Sequence, residues 1–117
     1  MSVYEYELWL RKRWGDRIHK PTMTDRFVIA TGFGGENGEV LELLKKEVRD
    51  GKQIKADLIL ELGDQLHYLC LIGMTHGFNL HDIMEANIEK LEARDKDPNK
   101  PKGWVGASPA DTGGKPL

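Results

Sequence analysis

The chain has 117 residues, 39% hydrophobic and 31% charged, with a formal net charge of −2. That length suits one globular domain with a modest core, and the weak negative charge gives no bulk attraction to a nucleic-acid polymer or a membrane surface. The single cysteine, Cys70, excludes an intrachain disulfide framework and fits a reducing compartment.

Four helices are expected in chain order. The first covers Ser2 to Trp14, with Val3, Tyr6, Leu10 and Trp14 on one stripe and Gly15 as its stop. No basic region followed by an apolar run precedes it, so no signal peptide is expected. No segment approaches the roughly 18 apolar residues of a membrane span, and a cytoplasmic location follows by default. A connection containing Pro21 leads to the second helix, Thr24 to Arg49, with Thr24 as N-cap and Asp50-Gly51-Lys52 as its closing turn. Gly32, Gly34, Gly35 and Gly38 weaken its centre by about 1 kcal/mol each relative to Ala. Either the helix breaks there or close packing demands residues without side chains. The third helix runs from Ala56 to Thr75. Its apolar face of Leu58, Leu62, Leu66, Leu69 and Ile72 predicts a largely buried element, with Cys70 as a small core residue. Gly77 ends it, and Asn79, with Asp82 at the capping-box position, opens a fourth helix to Arg94. From Lys96 onward Pro98, Pro101, Pro109 and Pro116 with several glycines read as an extended or disordered tail, in which Trp104 stands out as a docking residue. The expected architecture is all-α: an antiparallel bundle of about four helices over 1–95, completed by oligomerisation, then a tail over 96–117.

Two acid pairs hold most of the chemical information: Glu36 with Glu39, and Glu61 with Asp64. Residues i and i+3 lie about 60° apart on a helix, so each pair shares one face. Two such helices face to face surround a small volume with four carboxylates, which cannot all stay ionised there without cations. An all-oxygen anionic set suits a hard ion, Mg²⁺ with Mn²⁺ as its substitute, and an ion site of this kind can also hold a polyphosphate. Read singly, each pair is an ordinary solvated face; the repetition on successive helices is what favours a site. Lys46 follows the first pair on the same face, as a phosphate contact or simply a helix-dipole partner. Asn87, Lys90 and Arg94 align on the fourth helix, an amide and two cations suited to phosphate oxygens, although such a row alone is more often exposed surface. Trp9, flanking the first helix's stripe, is a candidate to stack on a base, whereas Trp14 reads as core packing.

Histidine offers the rival chemistry. Asp64 and His67 stand at i,i+3, the spacing of a di-iron bundle ligand pair, but the second helix supplies no matching histidine. A helical interaction module without turnover is the other alternative. His76 and His81 read as surface residues.

The paired motifs, with Gly35-Glu36-Asn37-Gly38-Glu39-Val40, Leu60-Glu61-Leu62-Gly63-Asp64 and the later Ala86-Asn87-Ile88-Glu89-Lys90-Leu91, resemble the MazG-like all-α nucleoside triphosphate pyrophosphohydrolases over about residues 24–95. The resemblance implies that Glu36, Glu39, Glu61 and Asp64 bind Mg²⁺. It also implies that Asn87, Lys90 and Arg94 hold phosphates. The implied reaction hydrolyses an NTP or dNTP to the monophosphate and pyrophosphate, and the implied assembly is a homodimer or homotetramer. The Gly32-Phe33-Gly34-Gly35 run before the first motif departs from the pattern by its looseness.

Overall fold

The computed structural model describes residues 1–100; the expected tail, with Trp104, lies almost wholly outside them. Helix α1 spans Val3–Trp14, α2 Asp16–His19, α3 Met23–Asp50, α4 Lys55–Thr75 and α5 Leu80–Lys96, and no strand occurs among the described residues. The all-α expectation holds, with one helix more than the four read from the sequence. The addition, α2, is a single turn inside the segment expected to be a connection, and it buries Ile18.

Local chemistry explains the boundaries. Ser2 Oγ accepts the Glu5 amide at 3.1 Å and caps α1. Gly15, with φ +58°, ends that helix by donating its N–H to Arg11 O at 2.8 Å. Helix α3 opens on a reciprocal capping box: Thr22 Oγ1 accepts the Asp25 amide at 3.0 Å, and Asp25 Oδ2 accepts the Thr22 amide at 2.9 Å. The N-cap is therefore Thr22 and not Thr24, because only Thr22 stands three residues before an acid that can return the bond. Gly51, at φ +67°, closes α3 as a left-handed C-cap.

The glycine run does not break α3. A Cβ on Gly32 would lie 2.5 Å from Tyr68 Cε1 and Cζ, so the ring rests against bare α3 backbone; at Gly34, Gly35 and Gly38 the space is open. Helices α3 and α4 form an antiparallel hairpin. Arg26 donates to Thr75 O at 3.3 Å, Gly32 meets Tyr68, and the Gln65 amide donates to Asn37 Oδ1, so later residues of α3 meet earlier residues of α4.

Leu10, Ile18, Ile29, Cys70, Leu71 and Met74 form the core, edged by Tyr6, Trp14, Tyr68, Ile72 and Leu80. Burying each large apolar side chain contributes about 1.5–3 kcal/mol. Cys70 is a core residue as expected, and burial, aided by the Glu7 charge, pushes its thiol up to about 11. The expectation of a largely buried third helix is corrected. Helix α4 buries only its C-terminal part, Cys70 to Thr75, where α1 and α2 also cover it. Leu62 and Leu66 are exposed in this chain, and Leu60 is 68% exposed. On α3 likewise, Leu41 and Val48 face outward while Glu36 is half-buried.

Two compact units divide the chain, Met1–His81 and a second beginning at Asp82. The described residues of the second are mainly those of α5, which buries none.

Candidate functional site

Halfway along the hairpin, α3 turns Glu36 toward α4, and the helical i,i+3 spacing of α4 presents Glu61 and Asp64 together. One carboxylate oxygen from each of the three lies within 4.8 Å of the others. Glu36 and Glu61 are half-buried and Asp64 is exposed. Glu36 Oε2 is buried and has no hydrogen-bond partner among the described residues. A buried carboxylate oxygen without a donor is costly.

The electrostatics match that geometry. Glu36 is raised above the ordinary carboxyl value, first by burial, then by contact with the Glu61 carboxyl and by the charges of Asp64, Glu61 and Glu39. Every force on it favours a proton or a cation. The donor set is entirely carboxylate oxygen, so a hard divalent ion fits it better than a soft one. Glu39 is exposed and stands outside the converging three, although its field reaches Glu36.

The remaining residues singled out from sequence are dispersed. Lys46 is half-buried about two turns beyond Glu39 on α3. Asn87, Lys90 and Arg94 are exposed on α5, within the second unit. Trp9 is 53% exposed, with the Tyr6 ring stacked at 6.5 Å and the Arg13 guanidinium 5.5 Å from its centroid. It lines an open groove of about 440 Å³ with Tyr6, Arg13, Ile59, Leu60, Gly63, Asp64 and His67. One wall of this groove is therefore a member of the carboxylate cluster. Tyr6 is raised by burial first, then by Cys70 and Asp64.

His67 does not join the acids. Among the described residues the only grouping of ligating side chains is Glu36, Glu61 and Asp64. The Trp14 indole N–H donates to His67 Nε2 at 2.9 Å, so that nitrogen is already engaged. The grouping is therefore all carboxylate, without the imidazole that a di-iron reading of Asp64 and His67 calls for. His76 and His81 are exposed, as expected.

Three features were missed from sequence. Glu7 is buried and accepts the Leu80 amide at 3.3 Å. Arg13 lies over Trp9 at the groove. The Trp14–His67 bond spans 53 positions. The first two sit next to recognisable stripe residues, Tyr6 and Trp14, but periodicity does not say which neighbour a side chain meets. The third has no local signal at all.

No curated protein and no solved structure matches this chain. The family model for the MazG nucleotide pyrophosphohydrolase domain matches residues 29–98. That span is more than half of the chain, contains all three converging acids and α5, and agrees with the all-α fold. The chain therefore belongs to the MazG nucleotide pyrophosphohydrolase domain family.

Proposed function

We propose that this protein hydrolyses a nucleoside or deoxynucleoside triphosphate to the monophosphate and pyrophosphate, using Mg²⁺, or Mn²⁺ in its place, held by Glu36, Glu61 and Asp64. Glu39 is the fourth proposed ligand. The observation that supports this most is the buried Glu36 Oε2, without a hydrogen-bond partner among the described residues, within a three-carboxylate cluster drawn from two helices.

When bound, the divalent ion neutralises phosphate-oxygen charge and lowers the pKa of a bound water. The chain's own residues supply the rest. The carboxylates accept hydrogen bonds from the attacking water, and one of them takes its proton as the phosphoanhydride opens. Asn87, Lys90 and Arg94 share one exposed face of α5 and are the proposed phosphate contacts, with Lys46 as a further cation. Trp9 is the proposed stacking surface for the base, because its groove includes Asp64.

We also infer a dimer or a dimer of dimers. Outward-facing Leu41 and Val48 on α3 and Ile59, Leu60, Leu62 and Leu66 on α4 leave apolar surface uncovered in the single chain.

The test is a panel of NTPs and dNTPs scored for pyrophosphate with Mg²⁺ and with chelator. Metal-dependent release from at least one member is expected, with near-total loss in a folded Glu61→Gln variant. Release that persists in chelator, or in Glu61→Gln at ordinary Mg²⁺, removes the carboxylates from this role.

A further inference from the structure

We propose that His67 is a hydrogen-bond donor to the nucleobase and so a specificity-determining residue, an inference that rests on the pyrophosphohydrolase reading above. The base it recognises presents an acceptor, a carbonyl oxygen or an unprotonated ring nitrogen, on the edge that enters the Trp9–Asp64 groove.

Trp14 fixes the tautomer of His67. An indole N–H can only donate. Its 2.9 Å bond to His67 Nε2 makes that nitrogen the acceptor. A neutral imidazole accepting at Nε2 carries its proton on Nδ1. The ring is held neutral: burial lowers His67 below its ordinary value, and Arg13 lowers it further, with Asp64 opposing. The indole is itself positioned, since the Arg17 guanidinium lies over its ring at 4.0 Å. The Tyr68 ring, 4.9 Å from the imidazole, supports the other side.

Nδ1–H is therefore the only polar group His67 has left, and no group among the described residues pairs with it. His67 lines the open groove that Trp9, Arg13 and Asp64 also line. The lining of the groove thus brings together an aromatic face for stacking, a cation, a carboxylate from the cluster and an imidazole of defined tautomer. Losing a neutral hydrogen bond of this kind costs binding about 2- to 13-fold. That is enough to separate bases that offer an acceptor from those that do not. Trp14 and Arg17 act through His67 and are positioning residues.

The experiment has two arms. The first measures kcat and KM for the Mg²⁺-loaded protein on a panel of four NTPs and four dNTPs, for wild type, His67→Phe, His67→Asn and Trp14→Phe. His67→Phe should lose about 2- to 13-fold in kcat/KM on the best nucleotide, mainly through KM, and flatten the ranking of bases. His67→Asn, which keeps an N–H donor, should retain most of the ranking. A His67→Phe panel within about twofold of wild type overturns the proposal. The second arm reads the tautomer by ¹⁵N NMR of the imidazole. Nδ1–H is expected in wild type, with the preference lost in Trp14→Phe; an Nε2–H wild-type ring overturns the proposal. If wild type releases pyrophosphate from no panel member, the reading above fails separately. The inference is then decided by titrating the eight nucleoside monophosphates into the metal-free protein: a base-dependent shift of the His67 Nδ1–H resonance supports it and an unmoved resonance overturns it.

Discussion

Gly32→Ala is the sharpest structural test of how the hairpin holds its acids. The added Cβ would lie 2.5 Å from Tyr68 Cε1 and Cζ and 3.0 Å from Cδ1. Comfortable carbon–carbon contacts need about 3.5–4.0 Å, so ring and helix must separate by roughly 1 Å. The ring has little room to retreat, because His67 packs at 4.9 Å and Trp14 meets it edge-on at 6.5 Å. Overpacking of this kind costs about 1–3 kcal/mol, and the better helix propensity of Ala offsets about 1 kcal/mol of that. A net loss of about 0–2 kcal/mol relative to wild type, and so about 1–3 kcal/mol relative to an unhindered Gly→Ala change in the same helix, is expected by urea denaturation of the metal-free protein. Activity should fall as well, since Glu36 lies one turn further along the displaced helix. Gly34→Ala and Gly35→Ala, where nothing lies within 4 Å, are the controls and should gain up to about 1 kcal/mol. If Gly32→Ala is as stable as those controls, the close approach of Tyr68 to α3 is refuted.

Three other expectations follow from the same geometry. Because Glu36 is raised by burial and its acidic neighbours, the folded state holds that proton more tightly than the unfolded chain; its penalty is absent below the ordinary carboxyl value and grows as pH rises through the raised one. Glu36→Gln should therefore raise the melting temperature of the metal-free protein near neutral pH and not in acid, and a difference from wild type that ignores pH would count against the cluster. Lys90→Ala should cost roughly 10- to 150-fold in kcat/KM if it contacts phosphate, with Mg²⁺ binding nearly unchanged; a loss under about twofold returns the α5 row to ordinary surface. Sedimentation at micromolar concentration should show a dimer or tetramer, and a stable 13.3 kDa species would contradict the assembly.

The acid face was legible because helical periodicity alone places i and i+3 together, and three of the four carboxylates do converge. Glu39 is exposed and stands outside that group, because a shared helix face does not say which of its residues the partner helix covers. The burial of α4 was misread for a related reason. A leucine stripe shows which face is apolar, but not how far neighbouring helices cover it, and in this chain only Cys70 to Thr75 supply the buried residues of α4. The glycine run illustrates the same limit: of four glycines singled out, only Gly32 meets a side chain across the hairpin. The Thr22–Asp25 capping box was present as an i,i+3 pair and was passed over for a threonine closer to the expected helix start.

The central claim is that Glu36, Glu61 and Asp64 together hold a divalent cation. Calorimetric titration of Mn²⁺ into metal-free protein, wild type against Asp64→Asn, tests it most directly. Saturable binding in wild type that Mg²⁺ competes away, with loss of most of that affinity in a folded Asp64→Asn variant, is the expected result. Equal Mn²⁺ affinity in the two proteins would contradict it.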